Sequence, residues 1–275
     1  MNWHEFHHEA MATTFAIVIA DQPADYARQA AAAAWRELDR LEGELSRFVE
    51  TSDIARASRL APGESLRIGD DALQCLLVAA GVTLATGRAF DAAYASQRAP
   101  DAPPDAPPFT LDPATHRLTS HAPRLRLDLG AIGKGYALDR LAATLRDWEI
   151  PAACLQSGGS TALALAAPAG ETGWPIGVGD DAAHRTVALT HAAISASGIA
   201  VQGAHLLDPR TGQPAPRTRR VWAHAPTAAL SDALSTAFFV MSDADIAAFC
   251  AAYPEIGVAY PATDGALAGL GPLRA

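Results

Sequence analysis

Ser231–Thr236 (SDALST) carries oxygen side chains where one face of a helix would display them together. Asp232 and Thr236 stand at i and i+4, with Ser235 at i+3. Hard oxygens suit Mg²⁺, which takes one or two protein ligands and completes its shell with waters and phosphate oxygens. The alternative is an ordinary polar face, with Thr236 bonding back to its own helix. A second candidate is Arg126–Asp139 (RLDLGAIGKGYALD), where a strand ends at Asp128-Leu129, glycines permit close backbone approach and a helix begins near Ile132. Backbone N–H groups at that helix start, with Lys134 in the first turn, form an anion site. A lysine opposes the dipole at a helix N-terminus, which implies an anionic partner for it. The alternative is that Gly133 and Gly135 only allow tight packing while Lys134 is solvated. His205 precedes an apolar pair in Gly203–Pro214 (GAHLLDPRTGQP), whose Asp-Pro and Thr-Gly are turn chemistry between extended pieces. It is either a base or a structural histidine.

Other patterns fail on their own terms. His4-Glu5-Phe6-His7-His8 matches HExxH, which needs both histidines on one helix face. Here it sits at a chain end expected to fray, just before a strand. Gly130 to Lys134 is one residue short of a phosphate loop, and Gly177 with Gly179 lacks the third glycine of a dinucleotide fingerprint. Ser157-Gly158-Gly159-Ser160 follows a strand but does not fit a nucleophile elbow.

These groups need elements to position them. Thr14–Ala20 (TFAIVIA) predicts a buried strand, and Trp35, Leu38, Leu41 and Leu45 recur at helical spacing in a helix over 25–45. Ser52-Asp53 can cap a short helix, and Asp70 another that runs to Thr86 with Gly87 as its stop. Six prolines between Ala99 and Pro113 predict a surface loop. Strands are expected at Arg124–Leu127, Ala152–Gln156, Ala162–Ala166 and Thr186–Leu189. Helices are expected over 132–148, from Thr227 to Met241 and after Asp243, with strands and turns closing the chain. Helices and strands mix without strict βαβ alternation, so the fold class is α+β, as one elaborate domain or two lobes.

The 275 residues are 49% hydrophobic and 19% charged, enough for a large core and too apolar for global disorder. With 21 basic against 30 acidic side chains the net charge is −9, which argues against nucleic acid or an anionic membrane surface as partner. Cys75, Cys154 and Cys250 are widely spaced and form no CxxC pair, so reduced thiols are expected. No window approaches a membrane span, and no basic segment leads into an apolar run at the N-terminus. A soluble cytoplasmic protein is the expectation, provided that Met1 is the natural start.

Taken in order and spacing, Met11–Phe15 (MATTF), Leu45–Arg56 (LSRFVETSDIAR), Gly87–Asp91 (GRAFD), Leu127–Asp139, Ser157–Gly159, Ala204–Pro214 and Ala225–Met241 resemble the ApbE-type FAD:protein FMN transferases. The strings DLGxIxKGYAxD, HxxDPRTG and DALST are specific as a set. The resemblance spans about residues 11 to 241, and implies a single ApbE-like domain over residues 1–275. It also implies cleavage of the FAD pyrophosphate, attachment of FMN to a threonine or serine hydroxyl of an acceptor flavoprotein, and release of AMP. By position, Met11, Phe48, Ala89, Phe90, Asp91, Asp128, Lys134 and Leu207 would contact FAD. The Ala131 carbonyl with Asp232 and Thr236 would hold Mg²⁺, with Ser235 beside them, and His205 would help deprotonate the acceptor hydroxyl. Ala12 stands where the family usually has glycine, Ser58 where it has asparagine, and Ser160 where it has asparagine or aspartate. Ala92–Ser96 replaces the usual Pro-Thr-Val-Gly-Pro, and the stretch between Gly198 and His205 is short. An FAD pyrophosphatase releasing free FMN, or a paralogue that only binds FAD, would use the same residues.

Overall fold

The computed structural model describes residues 3–97, 101, 103, 106–180, 183–198, 207–215, 220–262 and 265–274. The chain opens with strands β1 (Trp3–Ala10) and β2 (Thr13–Ala20), then helices α1 (Ala24–Leu45) and α2 (Asp53–Ala57), β3 (Ser65–Arg67) and α3 (Asp70–Ala85). The hairpin β4 (Phe109–Asp112) and β5 (Arg117–Ser120) precedes α4 (Gly133–Asp147), β6 (Ala153–Ser157) and β7 (Thr161–Ala164). A second hairpin, β8 (Trp174–Asp180) and β9 (Ala183–Leu189), leads to β10 (Ala192–Ser197) and β11 (Val221–Ala225). The chain finishes with α5 (Ala228–Val240), α6 (Asp243–Ala252), β12 (Gly257–Pro261) and β13 (Leu267–Leu270).

Eight strands form one sheet in the order β1-β2-β6-β7-β10-β11-β12-β13, antiparallel at every step. An antiparallel sheet with its helices gathered on one face is the α+β arrangement. Period two decides which residues face them. Phe15, Ile17 and Ile19 of β2, Leu155 of β6, Leu163 of β7 and Ala193 of β10 join the main core under the helices. Cys154, Ala164, Ile194 and Trp222 face the other way, where Trp174, Val178 and Leu189 of the β8–β9 hairpin cover them. In α1 the buried positions Ala27, Ala30, Ala31, Ala34, Leu38, Leu41 and Leu45 advance by threes and fours. Small alanines let this helix lie close against its neighbours.

Charges pin the helix layer. Asp71 of α3 is paired with Arg40 of α1, accepts a 2.7 Å hydrogen bond from the Tyr136 hydroxyl of α4, and lies 3.0 Å from Arg140 Nε. The start of α3 takes its caps from other elements. Gly69 N–H donates to Asp53 and Ala72 N–H to Glu44, so Asp70 does not act as the cap. Ser52 does cap α2, accepting from Ala55 N–H at 3.0 Å, and Gly87 lies past the end of α3 at φ +55°.

Three further expectations are corrected. Arg124–Leu127 is not a strand: it makes one isolated bridge, Arg124 to Gln97. Leu125 and Leu127 are buried as a strand's alternate residues would be, but side chains replace a neighbouring strand as partners. Ser96 Oγ accepts from Arg126 N–H and Ser58 Oγ from Leu127 N–H. The proline-rich stretch is not loop throughout, because Phe109–Asp112 pairs with β5 across a turn in which Asp112 accepts from Ala114 N–H and the Thr115 hydroxyl. The N-terminus is an edge strand rather than a frayed end, paired with β2 from Trp3↔Ala20 to Ala10↔Thr13. His4 and His8 therefore share a strand face, about 13 Å apart by strand rise, too far to grip one ion. His4 Nε2 lies 3.1 Å from the Gln22 carbonyl oxygen, while His8 pairs with Asp39 and stacks on Trp35. The strands β1, β3, β5, β8, β10 and β11 had no clear signal in sequence. β10 (AAISAS) is all small residues apart from one isoleucine, and its burial under α5 is a tertiary fact.

Candidate active site

Two helix N-termini meet at the centre of the molecule. Leu129 and Ile132 bury themselves in the core and fix the turn into α4, while Asp128 Oδ1 accepts from Gly130 N–H at 2.9 Å. Gly135, in the first turn of α4, lies against the start of α5. A Cβ there would run into the Ala228 carbonyl oxygen. The two helices then exchange carboxylates. Asp139 of α4 accepts from Ala228 N–H and Ala229 N–H, both at 2.8 Å, and Asp232 of α5 accepts from Gly135 N–H at 3.2 Å. Each carboxylate satisfies donors left open at the other helix's start.

The Asp232 carboxyl is buried, and burial pushes its pKa up against the opposing pull of Lys134, Gly135 N–H and the Thr161 hydroxyl beside it. Asp139 is pushed up to about 6, by burial first and by the Asp232 charge, with its two N–H donors and Arg146 opposing. Burial and the charges of Asp232, Asp71 and Asp139 also keep the Cys75 thiol protonated. Cys75, Cys154 and Cys250 are all buried and unpaired. Lys134 Nζ donates to the Gly130 carbonyl at 2.7 Å, folded back over its own loop. Gly135 is there for close packing, and Lys134 faces an anion, but that anion is the protein's own Asp232.

The Asp232 face carries hydroxyls, as the i, i+3, i+4 spacing predicts. Ser197 Oγ of β10 lies 2.8 Å from Ser235 Oγ and 3.2 Å from Thr236 Oγ1, and Ser235 Oγ also donates to the Asp232 carbonyl. Thr236 is thus held by Ser197 rather than bonded back to its own helix. Among the described residues no three carboxylate, imidazole or thiol groups cluster as a cage. One buried carboxylate ringed by hydroxyl oxygens fits a hard cation that keeps most of its waters.

The remaining predicted residues arrive on four loops. Arg47 bonds Asp128 at 2.7 Å and lies over the Phe48 ring, 4.7 Å from its centroid, while Phe48 itself is 80% exposed. Asp128 N–H donates to the Ala92 carbonyl, which draws in the Ala89–Asp91 loop. Ala89 and Phe90 are buried there, and Asp91 is held by Arg88 and by Ala93 N–H. Met11 occupies the β1–β2 turn at φ +49°, its N–H donating to Glu42. That turn touches the β6–β7 turn, since a Cβ on Gly158 would strike the Thr13 hydroxyl. Leu207 is 38% exposed and bridges Pro214, in a turn closed by Asp208, which accepts from Thr211 and Gly212 N–H. His205 lies outside the described residues. Arg47, Arg88, Asp139, Thr161 and Ser197 were not singled out in sequence. Arg47, Arg88 and Asp139 carried a signal only as members of the strings LSRFVETSDIAR, GRAFD and DLGxIxKGYAxD.

The model of the ApbE family matches residues 11–259. The chain belongs to the ApbE family. No curated protein matches the sequence. Among solved structures, this ApbE-family chain superposes on the flavin transferase ApbE of Vibrio cholerae with a TM-score of 0.82 at 21% identity, covering 98% of this chain and 97% of that one. The apo flavinyl transferase ApbE of Pseudomonas stutzeri gives 0.83 at 20% identity, covering 100% and 97%. The ApbE protein of Thermotoga maritima gives 0.79 at 24% identity, covering 97% and 96%. At these identities the likeness establishes a shared fold. Among the described residues no helix is long and apolar enough to cross a membrane.

Proposed function

We propose that this ApbE-family chain is a Mg²⁺-dependent flavin transferase that takes FAD, moves its FMN moiety to a threonine or serine hydroxyl of an acceptor flavoprotein, and releases AMP. The observation that carries the reading is the buried Asp232 carboxyl at the junction of two helix N-termini, with Ser235 and Thr236 on its face and Lys134 beside it. Family membership and the likeness to the flavin transferases of Vibrio and Pseudomonas support it.

Asp232, Thr236 and the Ala131 carbonyl would hold the ion, with Ser235 in support. When bound, Mg²⁺ would neutralise pyrophosphate charge as the phosphoryl-type bond is exchanged. Lys134, freed from the Gly130 carbonyl, offers a second positive charge to the same pyrophosphate. Phe48 presents an exposed aromatic face for the flavin ring, and Met11, Ala89, Phe90 and Leu207 supply apolar surface around it. Asp91 and Asp128 suit donor groups of the nucleotide, since like charge keeps them from phosphate, and each already holds an arginine. His205 is the proposed base for the acceptor hydroxyl. Work in the cytoplasm fits three unpaired thiols.

The test is to incubate the protein with FAD and Mg²⁺, with and without an acceptor peptide, and to resolve AMP, free FMN and peptide-bound FMN. Peptide-bound FMN with stoichiometric AMP is expected, abolished by EDTA and lowered at least ~10²-fold in Asp232→Asn. Equal AMP release without acceptor, all FMN appearing free, would make the enzyme a pyrophosphatase instead. Metal-independent turnover would remove the proposed role of Asp232.

A further inference from the structure

The helix-facing side of the main sheet turns polar at one end. Ser157, Thr161 and Ser195 are buried, at 0%, 3% and 0% exposure; the Ser157 and Ser195 hydroxyls find no hydrogen-bond partner in the protein, and the Thr161 hydroxyl meets the Asp232 carboxyl. The strand register sets them in a row. Ser157 lies opposite Thr161 across β6–β7, and Thr161 opposite Ser195 across β7–β10. Directly opposed residues on adjacent antiparallel strands bring their Cβ atoms to about 5 Å, so the three hydroxyls line one continuous strip. By period two they share the face of Leu155, Leu163 and Ala193, which point into the core beneath the helices.

The strip meets the candidate centre at its middle member. The Thr161 hydroxyl lies beside the Asp232 carboxyl, and Ser197, two residues beyond Ser195 on the same face of β10, bonds Ser235 and Thr236. A buried hydroxyl without a partner is destabilising, whereas alanine or valine would fill the same space without that cost. Two such hydroxyls flanking a third that faces a buried carboxylate are therefore poor packing but good seats for water, which needs two to four polar neighbours. Their burial excludes a nucleotide or a peptide from the strip. Hydroxyls also both donate and accept, so they suit the waters that a hard divalent cation retains.

We propose that Ser157, Thr161 and Ser195 form a recess that seats the outer hydration shell of a divalent cation held at Asp232, and so sets its affinity. This rests on the reading of Asp232 as a cation ligand. The residues act on the ion through water, as positioning groups.

The experiment uses the full chain, with Mn²⁺ as the probe and binding followed by electron paramagnetic resonance with and without ADP. Thr161→Val and Ser195→Ala should each weaken Mn²⁺ binding by ~10–100-fold, the range for lost outer-sphere partners. Thr161→Ser, which keeps the hydroxyl, should bind as the wild type does. Without metal, Ser195→Ala should melt no lower than the wild type, because its hydroxyl has no partner to forfeit, whereas Thr161→Val gives up a contact with Asp232. Wild-type Mn²⁺ affinity in both, with binding lost in Asp232→Asn, would overturn the recess and leave the Asp232 reading intact. Equal Mn²⁺ binding by the wild type and Asp232→Asn, or none by either, would overturn both. If Thr161→Val fails to fold, Ser195→Ala and Ser157→Ala decide the matter by the same readout.

Discussion

Ala12 adopts φ +57° in the β1–β2 turn, beside Met11 at +49°. A side chain in the left-handed region costs roughly 1–2 kcal/mol, and only part of that is offset by the lower chain entropy of alanine in the unfolded state. Ala12→Gly should therefore stabilise the protein by about 1 kcal/mol, raising the thermal midpoint by roughly 2–4 °C. A differential scan of both proteins in one buffer checks this, and an unchanged or lower midpoint would count against it. Lys134 is the other single residue with a clear expectation. Its ammonium is exposed and bonded to its own loop, so Lys134→Ala should fold normally while weakening FAD binding or turnover. Isothermal titration beside a thermal melt separates the two effects.

At the scale of elements, the crossed caps of α4 and α5 define the site. Gly135→Ala would drive a methyl into the Ala228 carbonyl, a backbone atom that can yield only if the helices part. A loss of several kcal/mol is expected, read as a lower denaturant midpoint, with AMP release falling alongside. Asp139 gives the interface a pH dependence. Its folded pKa of about 6 lies above the ordinary carboxylate value, so the native state holds this proton more tightly than the unfolded chain. Its contribution to stability is therefore greatest near pH 4, falls as pH rises through 6, and is absent above that. At 1.36 kcal/mol per unit the effect amounts to about 2–3 kcal/mol. Asp232 raises this pKa further and Arg146 opposes it. Asp139→Asn should flatten that part of the profile between pH 4 and 6, measured by urea unfolding of both proteins. A wild-type slope retained in the variant would place the titrating group elsewhere.

Across the whole molecule, the loops bearing Phe48, Asp91 and Asp128 and the helices bearing Lys134 and Asp232 form one hydrogen-bonded assembly. Binding at one part must then be felt at the other. Mg²⁺ should tighten FAD, and FAD should tighten Mg²⁺ by the same factor, because coupling between two sites is reciprocal. Calorimetric titration of each ligand in the absence and presence of the other tests the equality. Independent binding would separate the two parts of the proposed site.

The order of motifs along the chain was enough to place it in its family, because DLGxIxKGYAxD and DALST encode local events: a glycine turn into a helix and three oxygens on one helix face. Strong periodicity made α1, α4 and α5 legible for the same reason, since side-chain spacing repeats with the backbone. What the sequence could not show is how distant segments satisfy one another. Asp139 gains its role by capping a helix 89 residues further on, and Arg47 by meeting Asp128. β10 becomes a central strand through burial under α5, although its small residues carry little strand signal of their own. HExxH is the reverse case, a helix motif whose meaning vanished once pairing with β2 drew the segment into a strand. Ser157, Thr161 and Ser195 are scattered hydroxyls in the sequence, and only the register of β6, β7 and β10 sets them side by side, with Thr161 against Asp232. Local pattern determined which elements exist and which chemistry they carry. Tertiary packing decided which groups meet, because a hydrogen bond or a close approach depends on distance in space, which spacing along a chain does not determine beyond the reach of one helix or strand.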